Sequence, residues 1–224
     1  MSNIKKILKT LRRVDWNLLS FIYFIYFNFF RKNTVRVSKI ALFLVDKNCV
    51  LNIHKEAKII LNGIFIMGAK PNSKINNMKL QSELTLKKNS EIHIKNAFFI
   101  NHGSRIVVFE NAKIEFGGGF INTNASIGCK EQIIIGNDCA IADYVVIMDT
   151  DFHEILSPNY KSTKPIKIGN HVWIGNGCKI FKGVNIDDGA VIGGGSIVVK
   201  NIPKKTMAAG NPAKVIRENV EWKS

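Results

Sequence analysis

Histidine is the residue type in this sequence best suited to chemistry, because an imidazole can take up and return a proton near neutral pH. The chain has five histidines: His54, His93, His102, His153 and His171. His153 differs from the others, since it lies in a polar stretch, MDTDFHEILSPNYKSTKP, that breaks an otherwise regular pattern of aliphatic residues. Loops that interrupt a rigid repeat often carry function. We therefore take His153 as the candidate for acid-base catalysis.

The cysteines and the charge limit the other classes of function. Cys49, Cys129, Cys139 and Cys178 are far apart and have no zinc-ligand spacing, so we interpret them as reduced, mostly buried thiols in a cytosolic protein. The chain has 32 Lys and Arg against 17 Asp and Glu, a net charge of +15, which favours anionic partners. Nucleic acid is not a predicted partner, because RNP and OB-type patterns are not visible.

A period of six residues organises the elements that must position His153. Aliphatic residues recur at Ile168, Ile174, Ile180, Ile186, Ile192 and Val198, and small or apolar residues lie two positions before each of them, from Ile166 to Ser196. This spacing is neither that of a helix nor that of a plain strand. Short strands joined by turns rich in Gly, Asn and Asp can stack as three-sided coils around an aliphatic column. The sequence predicts an all-β fold, a parallel β-helix.

The same period continues upstream, with jumps in phase that we interpret as bulges and extruded loops. The predicted inward positions there are Ile53, Ile59, Phe65, Leu86, Ile92, Phe98, Val108, Ile114, Phe120, Ile135, Ile141 and Ile147. We divide the chain into an N-terminal basic and aromatic helical segment (1–48), a β-helix (49–202) with an inserted loop (148–165), and a C-terminal cap (203–224). The cap is predicted to form a short helix, because an uncovered column would expose its core.

Residues 18–30, LLSFIYFIYFNFF, are almost wholly apolar and have basic residues on both sides. A membrane span needs about 20 apolar residues, and no small-residue cleavage site of a signal peptide follows. We predict an aromatic-rich helix. Packing on the main domain and contact with a membrane interface are both open, and the two are compatible.

Four motifs together identify a family. They are DTDFHEI (149–155), IGNHVWIGNG (168–177), GAVIGGGSIVVKNIP (189–203) and AAGNPAKVIRE (208–218). With them the sequence resembles the hexapeptide-repeat acyltransferases, in particular the branch of maltose and galactoside acetyltransferases and polysaccharide O-acetyltransferases. The resemblance covers residues 105–218. It implies a left-handed parallel β-helix and a homotrimer with active sites in the clefts between protomers.

The resemblance also implies an acetyl-CoA-dependent O-acetyltransferase with His153 as its catalytic base. The family's asparagine, which holds the oxyanion or the acceptor hydroxyl, falls at Asn122, with Asn124 as the alternative. Trp173 matches a tryptophan that packs beside the catalytic histidine at the subunit interface. The group that orients the His153 ring stays open between a backbone carbonyl and three carboxylates, those of Asp149, Asp151 and Glu154.

By the same resemblance, CoA lies along the column. Its pantetheine arm matches coil corners at Asn176, Gly194 and Gly195, and its phosphates match Lys200, Lys214 and Arg217. No metal is expected, since a metal-dependent carbonic anhydrase on this fold needs two closely spaced histidines, whereas the nearest pair, His93 and His102, is nine apart.

The predicted acceptor is a sugar of a surface polysaccharide such as capsule or O-antigen, or of its lipid-linked precursor. The positive charge favours an anionic or membrane-linked glycan. The predicted location is the cytoplasm, and contact with the inner face of the cytoplasmic membrane stays open. N-acylation of an amino sugar nucleotide is the alternative within the enzyme class. A non-catalytic β-helix scaffold is the alternative outside it, although it leaves the His153 loop unexplained.

Overall fold

The computed structural model describes residues 10–70 and 80–223. Strands in this part of the chain form three parallel faces of a left-handed β-helix. The first face holds β1 (Thr34–Arg36), β4 (Lys58–Leu61), β7 (Glu91–Ile94), β10 (Lys113–Phe116), β13 (Gln132–Ile135), β16 (Ile166–Ile168) and β19 (Asn185–Ile186). The second holds β2 (Leu42–Val45), β5 (Ile64–Ala69), β8 (Phe98–Asn101), β11 (Gly119–Ile121), β14 (Cys139–Ile141), β17 (Trp173–Ile174), β20 (Val191–Ile192), β22 (Met207–Gly210) and β23 (Ala213–Arg217). The third holds β3 (Cys49–Ile53), β6 (Ser82–Leu86), β9 (Arg105–Val108), β12 (Ser126–Cys129), β15 (Val146–Met148), β18 (Lys179–Phe181) and β21 (Ile197–Val198).

Like residues stack on like residues along each face. Ile114 of β10, for example, is in register with Ile92 of β7 on one side and with Ile133 of β13 on the other. Every predicted inward position from Ile168 to Val198 is at most 1% exposed, so the six-residue ladder is confirmed. The four cysteines are buried and unpaired, as expected.

One of the predicted inward positions upstream, Phe120, is wrong. Ile121 of β11, not Phe120, lies in the core. Two residues turn the corner between β10 and β11, whereas three, residues 136–138, turn the corresponding corner of the next coil. Gly119 permits the shorter corner, because a Cβ there would lie 2.1 Å from the Cys139 carbonyl oxygen. A shift of one residue exchanges the inward and outward sides of a strand.

The N-terminal segment is helical, as predicted, but strands begin earlier than residue 49. Helix α1 (Leu18–Ile25) continues into a π-helical turn (Tyr26–Phe30), and β1 and β2 follow within residues 1–48. Asn28 fixes this segment to the first coil, since its side chain donates to the Phe43 carbonyl (2.8 Å) and accepts from the Phe43 amide (2.9 Å). Of the helices in residues 10–70 and 80–223, none is long and apolar enough to cross a membrane. Lys5, Lys6 and Lys9 lie outside the described residues.

The predicted C-terminal helix is wrong. Residues 213–217 form β23, which pairs antiparallel with β22 at the end of the second face. The β-branched Val215 and Ile216 favour a strand, and β22 offers a free edge with hydrogen-bonding groups ready to pair. A helix of the same length would have to nucleate without such a template. The column is therefore closed by a β-hairpin.

Candidate active site

The predicted catalytic histidine is presented outside the column. Residues 149–165 leave the fold between β15 and β16, that is, at the corner between the third and first faces. His153 is exposed there, and the ring of the preceding Phe152 packs edge-on against Phe109, with ring centroids 5.4 Å apart. A bridge between Thr150 and Thr163 closes the base of the loop.

Asp149 fixes the start of this loop. Its carboxylate is fully buried and accepts hydrogen bonds from the amides of Lys130 (2.7 Å) and Glu131 (2.8 Å). Burial raises the pKa of Asp149, against the opposing effect of those amides. Because the carboxylate is engaged with the backbone of the preceding coil, it holds the loop and not the His153 ring.

Asp151 braces the loop from the other side. Its carboxylate pairs with the Lys182 ammonium group and accepts the Tyr160 hydroxyl hydrogen, while the Tyr160 oxygen lies 3.3 Å from the His153 carbonyl. Desolvation opposes the charge on Asp151, but these hydrogen bonds keep its pKa below the usual value. Glu154 is exposed. Within the described ranges no carboxylate hydrogen-bonds to the His153 ring, so none of the three proposed carboxylates orients it in this arrangement.

Asn122 and Asn124 lie together at the corner between the second and third faces and differ in conformation. Asn124 has a φ of 59° and its amide donates to the His102 carbonyl, so it serves the turn. The Asn122 side-chain oxygen accepts a hydrogen bond from the side-chain nitrogen of Asn101 at 3.1 Å. These roles favour Asn122 as the candidate over Asn124.

One protomer does not bring the three predicted catalytic residues together. Strand β12, which spans the third face between the Asn122 corner and the corner of the His153 loop, is four residues long, a width of about 13 Å. Trp173 begins β17 on the second face, with 44% of its surface exposed. His153, Asn122 and Trp173 therefore occupy different parts of the triangular cross-section.

The residues matched to the pantetheine arm do lie together. Asn176 and Gly194–Gly195 occupy the corner between the second and third faces on successive coils, and the Gly195 amide donates to the Asn176 carbonyl at 2.7 Å. Gly195 has a φ of 72°, and no heavy atom lies within 4 Å of where its Cβ would be. The corner is bare, so an extended chain can approach its backbone closely.

Two of the three predicted phosphate-binding cations share one surface because of a β-bulge. Lys214 pairs with Ala209, and Arg217 with Met207, across a register shift between β22 and β23. Without the bulge, a spacing of three would point the two side chains to opposite sides of the strand. Lys200 follows β21 and lies instead at the corner between the third and first faces.

Sequence reasoning missed an aromatic cluster beside Trp173. The Trp222 ring stacks on His171 with centroids 4.2 Å apart and a 10° interplanar angle, and it lies 6.1 Å from the Trp173 ring. The Trp222 indole donates to the His171 carbonyl at 3.0 Å. His171 and Trp222 are 51 positions apart, so local spacing gave no signal of this contact.

The two ring hydrogen bonds of His171 can form together only when the ring is charged. Nδ1 faces the Asp138 carboxylate at 2.6 Å and Nε2 faces the Trp222 carbonyl at 3.1 Å. Both partners are acceptors, so only the doubly protonated ring can donate to both. The hydrogen bond to Asp138 accordingly raises the pKa of His171, although desolvation of the ring acts in the opposite direction.

We expect the docking of the C-terminal tail to depend on pH. A raised folded-state pKa gives stability that is complete below about 6.5, the usual histidine value, and is lost as the pH rises through the folded value. The Val220 amide donates to the Lys205 carbonyl. Its hydrogen-exchange rate should rise between pH 6 and pH 8 by a larger factor than the intrinsic exchange rate, and the difference between the two factors is the excess due to loss of docking. Asp138→Asn should remove most of this excess. Equal excess in the variant and the parent would contradict the assignment.

Comparisons with known proteins agree on one kind of protein, although no family model matches the chain. The chain is 38% identical over 123 residues to the galactoside O-acetyltransferase of Escherichia coli strain K12. The aligned region covers 54% of this chain and 57% of that enzyme. It is 33% identical over 176 residues to a putative acetyltransferase of Saccharomyces cerevisiae, covering 77% of this chain and 85% of that protein. The galactoside enzyme is therefore matched over little more than half of its length.

A solved structure supports the fold over a longer stretch. A crystal structure of a polysialic acid O-acetyltransferase matches with a TM-score of 0.59 and 25% identity, over 85% of this chain and 90% of that chain. The match extends well beyond residues 105–218, so the N-terminal coils are shared as well.

Proposed function

Since this chain belongs to the hexapeptide-repeat acyltransferases, we propose that it transfers the acetyl group of acetyl-CoA to a hydroxyl of a bacterial surface polysaccharide or its lipid-linked precursor. The observation that carries the proposal is the exposed His153, held on a braced loop at the one corner of its coil that leaves the regular repeat. Relatives named for acetylation of galactosides and of polysialic acid support a sugar acceptor.

In the proposed reaction, the His153 imidazole removes the proton of the acceptor hydroxyl as the sugar oxygen attacks the thioester carbonyl. A C–O bond forms, and the carbonyl oxygen becomes an oxyanion that the Asn122 amide stabilises as a hydrogen-bond donor. The C–S bond then breaks, the oxyanion collapses to the ester, and the imidazolium returns the proton to the CoA thiolate. No metal takes part in this scheme.

The site is proposed to form between protomers of a homotrimer. His153 and Asn122 lie at different corners of one chain, so a neighbouring protomer has to supply one of them if both act on the same thioester. Trp173 lies on the second face and Trp222 lies beside it, so both can border the same cleft. A closed ring of three head-to-tail contacts generates three equivalent sites.

CoA binding is proposed at the bare corner of the last coils. Asn176, Gly194 and Gly195 allow the pantetheine arm to lie against the backbone, and Lys214 with Arg217 offers two cations on one surface for phosphate groups. Lys200 is kept as a weaker candidate, because the third face separates it from that corner.

The acceptor is proposed to be anionic or lipid-linked. The enzyme is proposed to act in the cytoplasm, where acetyl-CoA is made. The net charge of +15 supports an anionic glycan, and so does the similarity to a protein named for an acidic polysaccharide.

Release of free CoA thiol tests the function directly. We expect release from acetyl-CoA to exceed background with an acidic polysaccharide or a lipid-linked oligosaccharide, and to do so by more than with maltose or free galactosides. The acetylated product should lose its acetyl group in mild base, because esters hydrolyse there and amides do not. Equal rates with maltose would overturn the acceptor preference. A base-stable product on an amino sugar nucleotide would favour the N-acyltransferase, and no release with any acceptor would favour the scaffold.

A further inference from the structure

Helix α1 and the π-helical turn expose an apolar surface at the N-terminal end of the β-helix. We call it the N-terminal apolar face and define it by Leu18, Phe21, Ile22, Tyr26, Phe29 and Phe30, whose side chains are 47–76% exposed. Their spacing of three or four residues places them on one side of the helix. Such a group of large exposed apolar side chains indicates an interaction surface.

The orientation of this helix is fixed by its opposite side, which is partly polar. Ser20 and Asn28 are buried. The Ser20 hydroxyl bonds to the Asn17 backbone, and the Asn28 side chain bonds to the backbone of Phe24 and Phe43. Phe27 is 5% exposed and packs 5.2 Å from the Phe43 ring in the column. Rolling the helix to bury the apolar face would break the two hydrogen bonds between Asn28 and Phe43 and the Phe27–Phe43 ring contact, so these contacts keep the face pointing outward.

The charge around the face is of one sign. Between residues 10 and 45 the chain has six Lys and Arg residues and a single carboxylate, Asp15, which is paired with Lys70. Lys32 and Lys39 are exposed, and the Arg36 guanidinium lies 5.4 Å from the Phe29 ring. Pairing this face with the same face of a second copy would bring like charges together, which argues against contact between two copies of the face. Aromatic and aliphatic side chains bordered by cations suit an anionic bilayer surface.

We propose that the N-terminal apolar face inserts into the headgroup region of an anionic phospholipid bilayer, with Lys32 and Lys39 against the lipid phosphates. The helix lies in the interface and does not cross it, since α1 and the π-helical turn end at Phe30 and are shorter than a span requires. The inference concerns attachment alone and does not depend on the reaction that the protein catalyses.

Vesicle flotation with the full-length purified protein tests the proposal. The parent should float with vesicles of phosphatidylcholine containing about 30 mol% phosphatidylglycerol and not with pure phosphatidylcholine, and binding should weaken as salt rises from about 0.1 M to about 0.5 M. The triple variant Phe21→Ser, Phe29→Ser, Phe30→Ser should bind at least about tenfold more weakly. Lys32→Gln with Lys39→Gln should bind more weakly and depend less on salt.

A matched control removes exposed apolar residues from the far coils. Val199→Ser with Ile216→Ser, at side chains that are 48% and 61% exposed, should leave vesicle binding unchanged. The melting temperature and the thiol release in solution show that the triple variant is folded. The proposal is overturned if the parent fails to bind anionic vesicles, or if a folded triple variant binds them as the parent does. It is also overturned if the parent forms a larger oligomer through this face and the only effect of the triple substitution is to dissociate that oligomer.

Discussion

His153→Ala is expected to lower kcat for acetyl transfer by roughly 10² to 10⁴, while the β-helix and the oligomer remain intact. The side chain is exposed and none of the described residues hydrogen-bonds to its ring, so its removal leaves no cavity and no unpaired buried group. The loss should fall on kcat and kcat/KM together, because the imidazole acts on the proton that moves in the transition state.

The rate of free thiol release at saturating acetyl-CoA measures the change in kcat, and size-exclusion chromatography checks the assembly. His54→Gln is the matched control, since His54 lies on an early coil where its Nδ1 accepts from the Glu56 amide. It should keep its activity within about twofold. A His153→Ala protein with near-normal kcat would remove the base from the mechanism.

Asn122→Ala is expected to lower kcat by about 10² to 10³, the usual effect of removing one oxyanion donor. The Asn122 side chain also bonds to Asn101, so a small loss of thermal stability is expected beside the loss of rate. Asn33→Ala is the control, because Asn33 likewise makes one side-chain hydrogen bond, to the Lys55 carbonyl, at an exposed place far from the loop.

Mixing the two inactive proteins decides whether they act across a protomer boundary. If His153 of one protomer works with Asn122 of the next, random trimers formed from equal amounts of His153→Ala and Asn122→Ala chains restore about one quarter of the sites. If both residues act within one chain, every chain in the mixture carries a defect and no site is restored. Co-expression with two affinity tags, followed by thiol release from doubly tagged trimers, measures the fraction. It should be about one third in that pool, because the selection removes the inactive trimers of a single chain type.

The aliphatic period determined most of the fold from the sequence. An inward side chain every six residues has only one way to be buried on successive strands, so the positions from Ile168 to Val198 were predictable from their identities alone. The loop at 149–165 was predictable for the same reason, since it is where the period fails. The family motifs then gave residues for the site, whose roles stay as proposals.

Corner length could not be predicted in the same way. The slip at Phe120 comes from a corner that is one residue shorter than its neighbour, and Gly119 makes that corner possible through a close approach to Cys139 of the next coil. Such an approach is a contact between coils, and a local pattern of hydrophobic residues does not contain it. The strand at residues 213–217 was missed similarly, because the free edge of β22 decided it.

The sequence by itself determined that the chain is a column of coils with a histidine on an inserted loop, because periodicity and loop polarity are properties of neighbouring residues. Only the tertiary structure decided which corner each candidate occupies. It separated His153 from Asn122, aligned Lys214 with Arg217 through a bulge, and placed Trp222 on His171. These outcomes depend on how many residues turn each corner and which edges are left free, and both are fixed by contacts between residues distant in the chain.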